Sequence, residues 1–377
     1  MTRRIYPLLF EPVLKDYLWG GRNLAALGRT LPPAGAVAES WEIAAHPDGT
    51  SVVSNGHFAG RPLTAVHDAL GIDLIGTANA WAQERGKFPL LVKLIDAEQP
   101  LSIQVHPDDE YALAHEGNEL GKTEMWVVLR ARPGAQLIVG LAEGSTREDF
   151  REAVLAGRPE PFLHRVAVSE GDHVCVPAGT LHAIMDGLLL AEIQQNSNTT
   201  YRVFDWNRVG ADGRPRPLHL EKALEVINFG APEPGVCPAE LISEEAGCRR
   251  TLLCRNRYFT TERVELAPGA RFDGRCDGTS LEIWGVLDGR ATVAGLRLNA
   301  VRFTLLPAVL GGFAVTAAGG ATLLRRATGA AAASACFGGA ALVVRFFGSW
   351  PLCFVSLFFL VAILLLLRRR RARHHKP

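Results

Sequence analysis

The sequence has 377 residues, enough for two domains, and frequent Gly and Pro residues separate its short apolar runs, which favours a mostly-β protein over an α/β one. Its formal net charge is +1, but without the six Lys and Arg of the last ten residues 34 basic residues face 39 acidic ones, so the body lacks the basic footprint of a nucleic-acid-binding protein. Seven cysteines without a Cys-x-x-Cys pair, and an N-terminus without a long apolar stretch, indicate a cytoplasmic protein with reduced thiols and no signal peptide.

The first hundred residues are predicted to contain a hairpin, a helical segment and a buried strand. Residues 39–44 and 50–54 form the hairpin across a His-Pro-Asp-Gly turn. Residues 62–84 have apolar side chains at helical spacing, interrupted by a glycine. The run FPLLVKLID at residues 88–96 predicts a strand buried on both faces. Lys93 in its middle needs a carboxylate partner or lines a cavity, and both interpretations stay open.

Polar side chains on two following strands predict a polar cavity. In LSIQVHP, Ser102, Gln104 and His106 share one face of a strand, where three polar groups would be costly in a plain core. In GKTEMWVVLRA, Lys122 and Glu124 share one face by the same period of two.

Two helices are predicted from their capping residues. Asp108 or Asp109 caps the short helix in DDEYALAHEG. Ser145 and Glu148 form a capping box before FREAVLAG, which predicts a helix over residues 145–157.

The next segment has a specific pattern of four residues: Gly171, Pro177, Gly179 and His182. Five residues separate the first pair, one residue the second and two residues the third. Runs of strand character flank the Pro-Ala-Gly-Thr turn. Pro177 fixes φ and Gly179 permits positive φ, so the backbone turns sharply and aims His182 inward from the next strand. The remaining histidines of this half lack such a pattern and are interpreted as surface or supporting residues: His115, His164, His173 and His219.

Taken alone, His182 is either a satisfied core histidine or a metal ligand. Beside Gln104, His106, Lys122 and Glu124 it contributes to a set of nitrogen and oxygen donors without thiolate, which suits zinc or another borderline divalent metal.

Residues 188–326 continue the strand pattern. Glu192 alternates with apolar neighbours on one strand, and Arg202 follows an Asn/Thr-rich turn. The planar fork of an arginine suits a phosphate or a developing oxyanion. From about residue 235 to 326 no metal-type cluster occurs in the sequence, which predicts a second, smaller jelly roll without its own site.

Together these residues resemble a known family. The spacing from Gly171 to His182 is similar to the second cupin signature, except that Asp186 stands where Asn is usual. The segments LSIQVHPDDEYA, GKTEMW and PAGTLHAI, with YLWGG, AESWEIAAHPDGTSVVSNG and NSNTTYRVFDWNR, resemble the type I phosphomannose isomerases of the bacterial short-chain kind. The resemblance covers roughly residues 5–328. It implies a cupin-type jelly roll with inserted helices over residues 1–234, a C-terminal jelly roll over 235–328, and zinc-dependent interconversion of mannose 6-phosphate and fructose 6-phosphate.

The resemblance also implies roles for eight residues. The zinc ligands would be His106, Glu124 and His182, with Gln104 as the fourth. The groups facing the substrate phosphate would be Ser102 and Lys122, and those taking part in the chemistry would be Arg202 and Glu192.

Two other functions could use a similar set of metal ligands. A non-catalytic cupin could bind a sugar phosphate as a membrane-tethered sensor, and a cupin oxygenase could hold iron. The sensor has no need of Arg202 and Glu192, and the oxygenase has little use for Ser102 and Lys122, so the isomerase is favoured.

The resemblance does not reach residues 329–377, which consist of an Ala-rich linker, an uncharged run at 350–367 and a basic tail. That run has the length of a minimal transmembrane helix, and the basic residues that follow it are typical of a membrane anchor. Because a single span would separate the body from its cytosolic substrate, three interpretations stay open: a helical hairpin that includes residues 329–344, a helix at the membrane interface, or a sequence artefact from a shifted reading frame.

Overall fold

Short strands make up most of the regular structure in the computed structural model, which describes residues 5–210, 213–231 and 235–327. The predicted mostly-β class is therefore confirmed. The strands up to residue 204 are β1 (Phe10–Glu11), β2 (Val13–Lys15), β3 (Glu39–Ile43), β4 (Ala45–His46), β5 (Gly49–Thr50), β6 (Val52–Val53), β7 (Leu90–Ala97), β8 (Ile103–Val105), β9 (Glu124–Ala131), β10 (Gln136–Leu141), β11 (Leu163–Ala167), β12 (His173–Val176), β13 (His182–Ile184), β14 (Leu188–Gln195) and β15 (Tyr201–Phe204).

The helices are short and lie between these strands or after them. The α-helices are α1 (Leu63–Leu70), α2 (Ile72–Ile75), α3 (Ala80–Gln83), α4 (Asp109–His115), α5 (Arg147–Leu155) and α6 (Leu220–Val226). Single 3-10 turns occupy Asn23–Leu27, Gly56–Phe58, Thr77–Asn79 and Glu160–Phe162.

Two antiparallel sheets form a sandwich. One has the strand order β11-β10-β13-β8-β15 and the other the order β12-β9-β14-β7-β3-β2. Side chains from both sheets meet in one buried cluster that includes Ile95, Trp126, Val139 and Ile184. The arrangement agrees with the predicted jelly roll. The predicted site residues lie on or near β8, β9, β13, β14 and β15 of these two sheets.

The C-terminal strands form a separate sheet. They are β16 (Glu240–Glu245), β17 (Cys248–Arg255), β18 (Thr260–Leu266), β19 (Arg271–Cys276), β20 (Glu282–Val293), β21 (Leu296–Asn299), β22 (Arg302–Leu306), β23 (Gly311–Thr316) and β24 (Ala321–Ala327). Trp284 and Phe313 belong to a core of their own. Phe259 and Leu305 instead pack in a shared core with residues of β3, β7 and α2. The domain boundary at residue 234 stays a prediction.

The predicted hairpin at residues 39–54 is wrong in its pairing. Strand β3 pairs with β2 on one side and β7 on the other. The His-Pro-Asp-Gly turn joins only β4 and β5, where Ala45 pairs with Thr50. The reason is burial: every residue of β3 is buried, so this strand lies inside a sheet with a neighbour on each edge.

The predicted helix ends are partly correct. Asp108 caps α4 by accepting a hydrogen bond from Tyr111 N, and the helical segment predicted over residues 62–84 breaks at Gly71, which has a φ of 50°. The capping box before α5 lies one residue later than predicted. Thr146 Oγ1 accepts the hydrogen bond from Asp149 N, because the Ser145 hydroxyl donates to Ala142 O instead.

Two of the cysteines that were expected to be reduced lie close together. Cys175 of β12 and Cys254 of β17 have a Cα–Cα separation of 6.2 Å, which a disulfide can span, and the reduced state stays a prediction. Contact between these two distant strands brings the residues together, and their sequence separation of 79 residues gave no sign of it. Cys237, Cys248 and Cys276 are free thiols.

The predicted linker, transmembrane helix and basic tail at residues 329–377 lie outside the described residues. None of the helices in the described ranges has the length and apolar character needed to cross a membrane.

Candidate active site

Three predicted metal ligands lie together between the two sheets of the sandwich. His106 follows β8, Glu124 begins β9 and His182 begins β13, and all three side chains are buried. One potential ligand atom from each lies within 4.8 Å of the others. Within the described residues this is the single cluster of three or more His, Cys, Asp or Glu that could hold a metal ion.

The turn before His182 has the predicted backbone geometry. Gly179 has a φ of 84°, and a Cβ there would lie 2.9 Å from Val226 O, so a larger residue would be strained. Gly179 N also donates a hydrogen bond to His106 O. The same turn therefore fixes the backbone of one candidate ligand and directs the other inward.

Hydrogen bonds at Nδ1 make Nε2 the lone-pair nitrogen of both histidines, which is the form that binds a metal. His106 Nδ1 lies 2.8 Å from Thr199 O, and His182 Nδ1 lies 2.9 Å from Thr180 O. Because a carbonyl oxygen can only accept, each Nδ1 carries the proton and each Nε2 the lone pair. Burial, followed by the charge of Lys122, lowers the pKa of both rings, that of His182 to about 3, so both stay neutral.

Glu124 has the features of a carboxylate that binds a cation. Its Oε1 is buried without a hydrogen-bond partner and lies 3.3 Å from His182 Nε2. Burial, followed by the charge of Glu192, raises the pKa of Glu124 to about 7. A divalent ion would offset both effects, so the donor set fits the metal that the family resemblance implies.

Lys122 and Gln104 complete the surroundings of this cluster. The Lys122 ammonium donates to His106 Nε2 at 2.8 Å and contacts Glu124 Oε2. Gln104 Nε2 lies 3.3 Å from His182 Nε2, and Ser102 Oγ donates to Gln104 Oε1 at 3.2 Å. Rotation of the Gln104 amide by 180° would direct Oε1 towards His182 and a shared metal ion.

Glu192 lies beside the cluster in a network of buried charges. Trp126 Nε1 donates to Glu192 Oε2 at 3.0 Å, and the Lys93 ammonium lies 3.1 Å from Glu192 Oε1 and 3.4 Å from Glu39 Oε1. Burial raises the pKa of Glu192, but the charges of Lys93 and Lys122 outweigh it and hold this pKa below the ordinary value. Lys93 thus both pairs with carboxylates and lines the cavity, so the two interpretations that the sequence left open hold together.

Arg202 on β15 directs its guanidinium into the same cavity. Nη1 donates to Pro217 O at 3.0 Å, whereas the buried Nε has no hydrogen-bond partner in the described residues. Burial, followed by the charge of Arg216, lowers the pKa of Arg202. A partly buried arginine with an unused N–H can stabilise negative charge that develops on a substrate.

The site cavity has a volume of about 240 Å³ and brings the predicted site residues together. Its lining includes five of them: Ser102, Gln104, Lys122, Glu192 and Arg202. The three candidate metal ligands lie behind this lining. His182 contacts Gln104, and both His106 and Glu124 contact Lys122. The lining also contains residues that the sequence did not reveal: Tyr17, Trp19, Glu39, Asn198, Arg216 and His219.

His219 was interpreted as a surface or supporting residue, and it has a supporting role, because its Nδ1 accepts a hydrogen bond from Arg202 N at 3.2 Å. Glu39 and Arg216 come from chain segments without a motif, and only the folded sheets bring them to the cavity.

Comparisons with known proteins agree with the fold and identify the family. Residues 8–123 match the family model described as phosphomannose isomerase type I, catalytic domain. The mannose-6-phosphate isomerase ManA of Bacillus subtilis is 41% identical over 266 residues, which are 70% of this chain and 81% of the relative. The mannose-6-phosphate isomerase of Streptococcus mutans is 40% identical over 261 residues, which are 69% of this chain and 79% of the relative.

A solved structure extends the likeness to the whole described body. The crystal structure of the mannose 6-phosphate isomerase from Bacillus subtilis superimposes with a TM-score of 0.76 and 31% identity, covering 85% of this chain and 99% of that chain. The fold and the site thus define a sugar-phosphate isomerase of the cupin type. More narrowly, the chain belongs to the type I phosphomannose isomerase family.

Proposed function

We propose that the site cavity interconverts mannose 6-phosphate and fructose 6-phosphate and that its metal ion is zinc. The family supplies the reaction class. The observation that carries the proposal is a buried His-Glu-His group beside one cavity. That cavity also contains the ionised carboxylate of Glu192 and the guanidinium of Arg202, whose Nε–H has no hydrogen-bond partner in the described residues. A sugar-phosphate sensor would need the cavity but not these two reactive groups.

His106, Glu124 and His182 would hold the zinc ion, with Gln104 as a fourth ligand. Nitrogen and oxygen donors without thiolate suit zinc among the borderline divalent metals. When bound, the ion supplies a Lewis acid for the oxygen atoms on C1 and C2 of the sugar.

Glu192 is proposed to carry the proton between C2 and C1. Aldose–ketose exchange removes a proton from one of these carbons and returns it to the other, so the base must be ionised before the reaction. Lys93 and Lys122 keep Glu192 in that state despite its burial. Trp126 donates to Oε2 and Lys93 lies beside Oε1, so the carboxylate is held from both sides, and we assign the proton transfer to Oε1.

Arg202 is proposed to stabilise the enediolate that forms between the two proton transfers. Its Nε–H has no competing partner in the described part of the chain, and a partly buried cation acts more strongly on a developing charge than a fully exposed one. The phosphate-facing roles of Ser102 and Lys122 stay predictions. Lys122 contacts two of the proposed metal ligands, so its ammonium would also lie near substrate atoms held at the metal.

The test is an isomerisation assay of the full chain with mannose 6-phosphate, before and after treatment with a chelator. We expect activity that the chelator abolishes and that added zinc restores. Binding of mannose 6-phosphate without turnover by the zinc-loaded protein would favour the sensor. Recovery with iron but not zinc would contradict the choice of metal.

The membrane tether predicted at residues 350–367 is a separate proposal, supported by the sequence alone. Sedimentation with membranes compares the full chain with a chain that ends at residue 328. Equal amounts of both in the membrane fraction would exclude the tether.

A further inference from the structure

The site cavity contains a second arginine that the family resemblance did not bring forward. Arg216 lines the same cavity as Arg202, Ser102 and Gln104. We propose that Arg216 binds the phosphate group of the substrate and that Asp205 positions it for that purpose. The inference rests on the proposed function, because it assigns the phosphate end of the same substrate.

Asp205 fixes the orientation of the Arg216 guanidinium. Asp205 is buried directly after β15 and accepts hydrogen bonds from Arg216 Nε at 2.7 Å and Arg216 Nη2 at 2.6 Å. Two parallel bonds between a carboxylate and a guanidinium define the plane of both groups. Arg216 Nη1 then has no hydrogen bond within the described residues. Because Arg216 lines the cavity, this N–H group is available to a ligand.

Arg208 provides an internal comparison. Its Nη2 also donates to Asp205, at 2.5 Å, but its Nη1 donates to Pro100 O at 2.6 Å, and Arg208 does not line the site cavity. The two arginines therefore share one carboxylate, while only one of them is available to a ligand. A purely structural role for this cluster would make the two arginines equivalent.

The chain around Asp205 is held in a costly conformation. Trp206 and Asn207 both have a φ of 54°, a left-handed backbone conformation that consecutive residues other than glycine rarely adopt. The Trp206 indole compensates by donating to Leu101 O at 2.7 Å. Leu101 directly precedes Ser102, a predicted phosphate-facing residue. The hydrogen bond therefore links the turn after Asp205 to the segment that contains Ser102.

The charges at this end of the cavity suit an anion. Arg202 has no carboxylate ion-pair partner within the described ranges, and the charge of Arg216 disfavours its protonated form. Two guanidinium groups in one cavity repel each other, and an anion bound at Arg216 offsets that repulsion. A phosphate dianion accepts hydrogen bonds on three terminal oxygen atoms, so it can pair with the unused Nη1 of Arg216 and leave Arg202 for the enediolate.

The experiment compares Arg216→Gln with Arg208→Gln in the full chain. KM and kcat are measured with mannose 6-phosphate, and Ki is measured with inorganic phosphate as a competitive inhibitor. For Arg216→Gln we expect KM and Ki to rise together by about 10- to 100-fold, the loss that follows removal of a charged hydrogen-bonding partner. For Arg208→Gln we expect both to change by less than about threefold.

Two further variants separate binding from positioning. Asp205→Asn should raise KM and Ki as Arg216→Gln does, because the guanidinium then lacks its fixed plane. Arg216→Lys should give an intermediate rise, and it replaces Arg216→Gln if that variant does not fold. Equal effects of Arg208→Gln and Arg216→Gln on KM and Ki, or a fall in kcat with KM and Ki unchanged, would overturn the inference.

Failure of the proposed function would be visible separately. If the unaltered protein shows no isomerase activity, its affinity for inorganic phosphate is still measurable by calorimetry. In that case, weaker binding by Arg216→Gln but not by Arg208→Gln supports the phosphate site, and unchanged binding by both refutes it.

Discussion

Replacement of Lys93 by Met removes the cation that lies between two buried carboxylates. The Lys93 ammonium is 3.1 Å from Glu192 Oε1. At an effective dielectric constant of about 20, a unit charge pair at this distance is worth about 5 kcal/mol, which is an upper limit on the interaction that is lost. Lys122 remains 3.8 Å away and water enters the gap, so the net loss is smaller, and we expect the pKa of Glu192 to rise.

The assay is the pH profile of kcat/KM between about pH 5 and 9. Because Glu192 acts as the ionised base, a higher pKa moves the acid limb of the profile to higher pH, and the activity lost at neutral pH returns in alkali. Removing one partner of a buried ion pair also costs about 3–5 kcal/mol, so thermal unfolding of the variant must be followed in parallel. Lys87→Met, which breaks a partly buried pair with Glu119 outside the cavity, is the matched control. An equal loss of kcat/KM at every pH would refute the assigned effect on Glu192.

Three further predictions concern the metal, the oxyanion and stability in acid. His182→Ala should lose the bound metal, and one zinc ion per chain in elemental analysis of that variant would contradict the ligand set. Arg202→Ala should lose most of kcat with the metal retained, and full activity would remove Arg202 from the mechanism. The hydrogen bond from His46 lowers the pKa of Glu119 to about 2 against the effect of burial, with Lys87 adding to it. Because the folded-state pKa is depressed, this stability is present above about pH 4.5 and lost as the pH falls towards 2. Glu119→Gln should therefore lower the free energy of unfolding at pH 7 by about 1–3 kcal/mol, and the difference from the unaltered protein should shrink in urea titrations below pH 4.5.

The residues predicted best are those in local patterns. Ser102, Gln104 and His106 were assigned to one face by strand alternation, and the structure places Ser102 and Gln104 in the lining with His106 close behind. The turn before His182 was predicted from Pro177 and Gly179 because φ preferences act within a few residues. Such features need no knowledge of which strands are neighbours.

The features that were missed depend on distant neighbours. Strand β3 was assigned to a hairpin because the next apolar run was close in sequence, but its buried faces select β2 and β7. Glu39 reaches the cavity through that pairing. Arg216 lies in a polar stretch without period, and its orientation depends on a carboxylate eleven residues earlier and on a turn anchored to Leu101. No local preference encodes these contacts.

The buried network also separates the roles of two neighbouring carboxylates. Glu192 pairs in register with Trp126 on β9, the strand that Glu124 begins, yet their pKa values move in opposite directions. Lys93 and Lys122 together keep Glu192 ionised, and the charge on Glu192 then adds to burial in raising the pKa of Glu124. When their environments shift the pKa values of two titratable groups in opposite directions, the two groups are suited to different roles. Glu124, whose charge is costly without a cation, suits the metal, and Glu192, whose charge is already compensated, suits the proton. Loss of Lys93 would therefore disturb the base before it disturbs the metal ligands, which is why the metal content of Lys93→Met should stay at the level of the unaltered protein.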